Sequence, residues 1–237
     1  MKKPFSIPPL KLFPQLLLVF ASFPISITIV EAAYYPDFRK PFDFSLLLAN
    51  SDIDLQTGNK KHRVSLDRVS IEIFTLIEPQ IQFGFISGSS NLSLDNDPLS
   101  MGKSLNGYHA GLAIRRTLGR NPQIVFHANY IYQDAKNETA NQTVTLNWHE
   151  WAAGGSGKLI LGQQLELSLG WAYHDVDAQR RVTGDINQTQ RLKLASTTGS
   201  QGKLEIAWLD RSDGRVSLAI QRGSYQQVTF RFSRKFR

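Results

Sequence analysis

From Leu165 to Tyr173 the chain reads Leu-Glu-Leu-Ser-Leu-Gly-Trp-Ala-Tyr. Leu165, Leu167, Leu169, Trp171 and Tyr173 share one face, and Glu166, Ser168, Gly170 and Ala172 share the other. Strict alternation of this kind marks a β-strand with two unlike faces. The split recurs along the chain. Tyr108, Ala110, Leu112 and Ile114 oppose His109, Gly111, Ala113 and Arg115, and Phe126, Ala128 and Tyr130 oppose His127, Asn129 and Ile131. Val144, Leu146 and Trp148 oppose Thr145, Asn147 and His149, and Val228, Phe230 and Phe232 oppose Thr229, Arg231 and Ser233. No helical period is sustained after residue 33. The pattern predicts strands over 43–51, 65–77, 80–88, 106–117, 123–134, 142–161, 164–181, 188–209, 214–222 and 226–236. Pro36, Pro41, Pro79, Pro98 and Pro122 all fall outside them, as expected of residues that remove a donor from a strand ladder. Gly154–Gly157 is expected to bulge the sixth strand, and Gly199 and Gly202 the eighth.

The connections alternate too. Tight ones fall at Glu78-Pro79, Leu118–Asn121, Gly162-Gln163 and Asp210–Asp213; longer polar ones fall at 52–64, 89–105, 135–141 and 182–187, with Gly223–Tyr225 a short exception. In an up-and-down meander all tight turns then share one end. The fold expected is all-β, an antiparallel up-and-down transmembrane β-barrel of about ten strands, or eight if two short segments do not pair. Tyr108, Tyr130, Tyr132, Trp148, Tyr173, Trp208 and Phe236 crowd the apolar face near strand ends, as interfacial girdles do.

In the last strand Val228, Phe230, Phe232 and Phe236 share one face just before the end of the sequence. This resembles the terminal strand of bacterial outer-membrane β-barrel proteins. The resemblance implies that Phe230, Phe232 and Phe236 act as the signal read by the barrel-assembly machinery, and that the protein resides in the outer membrane of a Gram-negative bacterium. The sequence departs from the usual pattern in that Arg237 follows the final aromatic.

The first residues read as an export signal. Met1-Lys2-Lys3 is a positive start, an apolar stretch is densest over Leu16–Val30, and Val30-Glu31-Ala32 ends in small residues. Pro14 and Pro24 interrupt it, leaving less than the ~20 residues a spanning helix needs. The expected division is a signal peptide over 1–32, a short periplasmic lead-in over 33–42 and the barrel over 43–237. Loss of Lys2, Lys3, Lys11 and Glu31 with the signal lowers the net charge from +7 to +5. Basic residues are spread rather than clustered, so no nucleic-acid partner is expected. With no cysteine, disulfides, thiolate metal sites and cysteine nucleophiles are excluded. No phosphate-binding loop, dinucleotide fingerprint or HExxH motif occurs, and neither cofactor nor metal is expected. Gly154-Gly155-Ser156-Gly157 is not a nucleophile elbow, for no strand-to-helix turn follows it.

If the apolar face meets lipid, the lumen is lined by Glu72, His109, Arg115, His127, His149, Glu166, Arg191, Glu205 and Arg231. Four of the five histidines (His109, His127, His149 and His174) fall on that face. Such a lumen is either filled by paired side chains or a narrow pore in which excess basic charge favours anions. Lys60, Lys61, Arg63, Arg180 and Arg181 are candidates for contact with lipopolysaccharide phosphates. Asp95 and Asp97 in one long loop, with His174 and Asp177 on the seventh strand, resemble the paired acid and His/Asp sets of omptin proteases. That resemblance implies general-base hydrolysis at the surface. The leading expectation is a non-enzymatic structural or surface-interaction barrel, or a narrow passive channel. The alternatives are an anion-favouring pore, an omptin-like surface hydrolase, and a secreted soluble barrel binding a small ligand.

Overall fold

The computed structural model describes residues 41–57, 60–94, 104–139, 141–185, 187–194, 199–211, 213–223 and 225–236. The expected signal peptide and most of the lead-in lie outside them. Eleven antiparallel strands follow in order: β1 (Phe42–Thr57), β2 (Lys60–Glu78), β3 (Ile81–Leu94), β4 (Leu105–Leu118), β5 (Gln123–Glu138), β6 (Gln142–Leu161), β7 (Leu165–Gly184), β8 (Gln188–Leu194), β9 (Ser200–Leu209), β10 (Gly214–Gly223) and β11 (Tyr225–Phe236). β1 pairs with β11 from Phe42↔Phe236 to Ile53↔Tyr225 and so closes the sheet. Pairing along this seam removes the free edge that a sheet in lipid cannot have. At the lower rim Phe42 and Phe236 stack across this seam with centroids 4.9 Å apart. Tight turns at Pro79-Gln80, Gly119–Pro122, Gly162–Gln164 and Asp210–Asp213 lie at the same end. Gly119 and Gly162 there adopt positive φ (78° and 65°), which glycine reaches without a Cβ penalty.

The ring is not the same width at both ends. The strand expected over 188–209 is interrupted. β9 pairs with β7 from Leu165↔Trp208 to Tyr173↔Ser200. β8 pairs with β7 higher up, from Asp177↔Lys193 to Val182↔Gln188. β8 also pairs with β1 at Leu55↔Leu194 and Gln56↔Lys193. Lower down, β9, β10 and β11 lie between β7 and β1. The barrel thus has ten staves below and eight above, because the hairpin of β10 and β11 stops short.

Two expectations are corrected. Most of the segments expected as long polar loops are barrel wall. β1 and β2 leave only residues 58 and 59 between them, and β5 to β6 and β7 to β8 are each joined by three residues. Only 95–104 remains a long connection. The second correction concerns Gly154–Gly157, which stay in unbroken register with both neighbours. Their small size serves close approach instead: a Cβ on Gly154 would lie 2.3 Å from the Trp171 carbonyl oxygen. A register shift does occur between Leu76 and Glu78.

The wall strands were hidden because each reverses its polarity part-way up. On β2, Val69, Ile71 and Ile73 point outward and are exposed, while Ser70 and Glu72 point inward and are buried. Higher on the same strand Val64 and Leu66 point inward at 0% exposure, while Lys61, Arg63 and Asp67 face out or to the side. On β7, Leu165, Leu169 and Trp171 face out below, and Val176, Ala178 and Val182 face in above. The lower section therefore has an apolar outside and polar inside, as a wall in lipid requires. The upper section has the reverse, as a wall in water requires. Nine residues of β7 cover the belt; at about 3.3 Å each and a tilt of about 40° they give roughly 20–25 Å of height.

Candidate functional site

Inside the ten-stave section lies a cavity of about 560 Å³ that runs from the turn-bearing rim to mid-barrel. Inward positions on neighbouring and next-but-one strands carry opposite charges. Arg215 on β10 reaches Glu166 on β7 at 2.8 Å and Glu205 on β9 at 2.6 Å. Lys203 holds Glu205 at 2.7 Å, and Lys158 lies 3.4 Å from Glu166. Arg231 lies 3.3 Å from Glu72. Near the rim Arg115 pairs with Asp43, bonds Gln82 and lies over the Phe74 ring at 4.0 Å. Charges withdrawn from water require such partners, since an unpaired one costs several kcal/mol.

At the top of the chamber a second network crosses the lumen. Arg68 on β2 donates to Glu150 on β6 at 2.8 Å and to Gln133 Oε1 on β5 at 3.0 and 3.2 Å. His174 Nδ1 lies 3.5 Å from Glu150, and its ring stacks on Tyr225 of β11 with centroids 5.0 Å apart. Ser70 Oγ and His109 Nε2 share a hydrogen bond of 2.9 Å. Above this layer the lumen is filled by an apolar plug in which Ile53, Leu55, Val64, Leu66, Leu92, Leu105, Leu146, Trp148 and Val176 are 0–1% exposed. An eight-strand ring is just wide enough for side chains to fill, so its narrowing and its apolar packing belong together.

Glu72, Arg115, His127, Glu166, Glu205 and Arg231 line the chamber, and His109 is buried beside Ser70. Two residues expected in the lumen stand elsewhere. His149 is exposed on the outer wall, where its Nδ1 is 2.6 Å from the Tyr130 hydroxyl and its ring is 5.1 Å from Tyr132. Arg191 is exposed and pairs with Asp177. Both belong to strands read in the wrong phase: Trp148 and Leu146, taken as lipid-facing, point into the plug, so their neighbours point out. The same inversion misplaces Arg180, which is 2% exposed inside the wall and bonds Gln190. Arg181 and Lys61 are exposed, Lys60 opens β2, and Arg63 is held by Asp52 at 2.7 Å. Asp52 lies above the belt. The hydrogen bond from Arg63, then that from Ser65, holds its carboxyl below the usual range.

The His174 and Asp177 half of the hydrolase set is split between two faces. His174 faces the lumen and Asp177 the outside of the same strand; Asp95 and Asp97 lie outside the described residues. Among the described residues no cluster of three His, Cys, Asp or Glu side chains could hold a metal ion. Phe230, Phe232 and Phe236 face outward at 40–45% exposure. Arg68, Gln133, Glu150 and Tyr225 were missed. Arg68 has the parity of Glu72, which could have placed it; Glu150 has the parity of Trp148, which hid it.

The expected excess of basic lumen charge is much reduced. Arg68, Arg115, Lys158, Lys203, Arg215, Arg231, Arg234 and Lys235 line the cavity with Asp43, Glu72, Glu150, Glu166, Glu205, Asp210 and Asp213, eight cations to seven anions among the described residues.

No protein-family model matches the chain, and no curated protein is similar to it in sequence. Among solved structures it is similar to the translocator domain of the autotransporter NalP from Neisseria meningitidis, with 10% identity over 83% of this chain and 88% of that one at a TM-score of 0.45. It is similar to the outer membrane protease OmpT from Escherichia coli, with 10% identity over 86% and 98% at 0.49. Neisserial surface protein A gives 11% identity over 82% and 97% at 0.42. None of these is a guide to function. Closure of the sheet, the outward apolar belt and the inward charge define the class on their own: this is the architecture of bacterial outer-membrane β-barrels.

Proposed function

We propose that the protein is an outer-membrane β-barrel of a Gram-negative bacterium that does not conduct. It acts as a structural or surface-interaction protein through the polar wall it raises above the membrane. The plug carries this reading. Ions cannot cross several layers of fully buried Leu, Ile, Val and Trp side chains, because an unpaired ion in such a medium is prohibitively costly. The chamber beneath is a water-accessible vestibule whose near-balanced charges hold the wall staves together. The outer belt speaks against a secreted soluble barrel, which would turn that face inward. The test is conductance of the folded protein in a planar bilayer, after a heat-dependent gel shift has confirmed folding. A silent membrane is expected; reproducible steps of conductance would restore the narrow channel.

A further inference from the structure

On the outer wall, where β2, β3 and β4 leave the apolar belt, there is a shallow groove of about 310 Å³. Ser89 on the central strand sits between Val69 on β2 and Tyr108 on β4. One step higher Asn91 sits between Asp67 and Asn106. Backbone of Ser90 and Gly107 completes the floor. Tyr108 is 80% exposed, far more than its neighbours on the belt.

The polar groups are set in place. Asn50 donates to Asp67 Oδ1 at 2.7 Å, and Asn91 Nδ2 donates to Asn106 Oδ1 at 2.8 Å. The second bond leaves Asn91 Oδ1 and Asn106 Nδ2 available as acceptor and donor. Among the described residues, no Lys or Arg lines the groove. Lys136, opposite Asn106 on β5, is bonded to Glu138 at 3.0 Å. A phosphate would therefore meet the Asp67 carboxylate with no cation among the groove's described residues. A ring bearing hydroxyls suits the site better: hydroxyls donate to Asp67 and to Asn91 Oδ1 and accept from Asn106, while the exposed Tyr108 face covers the ring's C–H side. Aromatic faces serve this amphipathic role at the headgroup level.

We propose that this groove seats the sugar headgroup of a membrane glycolipid. The lipid origin follows from the lower lip: Val69 bounds the groove and continues directly into Ile71, Ile73 and Phe85 of the belt, exposed at 42–52%. Acyl chains lie along these while the sugar occupies the groove. The proposal rests on the reading that the belt stands in lipid.

The full chain is folded into phosphatidylcholine vesicles containing equal amounts of diglucosyl diacylglycerol and phosphatidylglycerol with matched acyl chains. It is then released in mild detergent, and retained lipids are counted by native mass spectrometry. Preferential retention of the glycolipid is expected. Tyr108→Ala lowers that retention roughly three- to tenfold, Tyr108→Phe preserves it, and phosphatidylglycerol is unaffected. Equal retention of the two lipids, or indifference to Tyr108→Ala, overturns the proposal; competition by free maltose at the same concentration overturns the lipid source. Flotation with the vesicles is scored first. A chain that does not float refutes the membrane reading and the groove with it. A chain that floats without discriminating refutes the groove alone.

Discussion

Replacing Glu150 by Ala strands Arg68 inside the barrel. The two side chains are 3% and 5% exposed, and their charges approach to 2.8 Å. At an effective dielectric of about 20 the raw attraction is about 6 kcal/mol. Gln133 can still accept from Arg68, as it does at 3.0 and 3.2 Å, but a neutral amide replaces little of what a carboxylate supplied. Breaking a buried pair in this way costs about 3–5 kcal/mol. Replacing both partners, as Arg68→Met with Glu150→Leu, removes the two desolvation costs together and returns stability to within about 1–2 kcal/mol of the parent. Reversible urea unfolding in vesicles, with each folded species confirmed by gel shift, reads both. A cost under about 1 kcal/mol for Glu150→Ala, or a double variant as unstable as the sum of the singles, would refute the buried pairing of Arg68 with Glu150.

Three further outcomes follow from the same structure. Leu169→Arg, on the belt face of β7 at 61% exposure, is expected to lose about 2–4 kcal/mol in vesicle unfolding, whereas Gln179→Arg on the same outer face above the belt stays within about 0.5 kcal/mol. Gly88→Ala is expected to fail the gel shift or unfold at much lower urea, because its Cβ would lie 2.0 Å from the Val69 carbonyl oxygen and 2.8 Å from His109 Cε1. The Asp52 carboxyl is held below its ordinary value by Arg63, so its contribution is present above about pH 4 and lost as pH falls through the lowered value. Asp52→Asn should cost within about 0.5 kcal/mol at pH 7, a difference that vanishes at strongly acidic pH.

The strand order was legible because alternation is a local signal. Nine of the ten predicted segments coincide with observed strands, most with ends within a few residues, and the remaining one, over 188–209, covers β8 and β9. The upper wall was not legible as wall. There the apolar residues change parity, from Leu46 and Leu48 to Ile53 and Leu55 on β1 and from Val69 and Ile71 to Leu66 and Val64 on β2. A single-phase reading takes that change as the end of the strand. The same change marks where the surroundings pass from lipid to water, so the feature read as a loop is the membrane boundary. Trp148 shows the cost of missing it: placed with the lipid face, it carried His149 into the lumen and Glu150 out of it. The pairing of Arg68 with Glu150, 82 residues apart, depends on barrel closure and is not a sequence-local property.

The most direct test of a barrel that reverses its polarity uses the absence of cysteine from the chain. Single cysteines placed along β2 in the vesicle-folded protein are exposed to a compact, charged methanethiosulfonate reagent admitted on both sides. The account predicts reaction at 61 and 67, outside the upper wall, and at 70 and 72, in the chamber. It predicts protection at 64 and 66, in the plug, and at 69, 71 and 73, in lipid. Reaction that follows one parity from end to end, with 64 and 66 modified as readily as 70 and 72, would contradict it and leave an open, single-phase pore in its place.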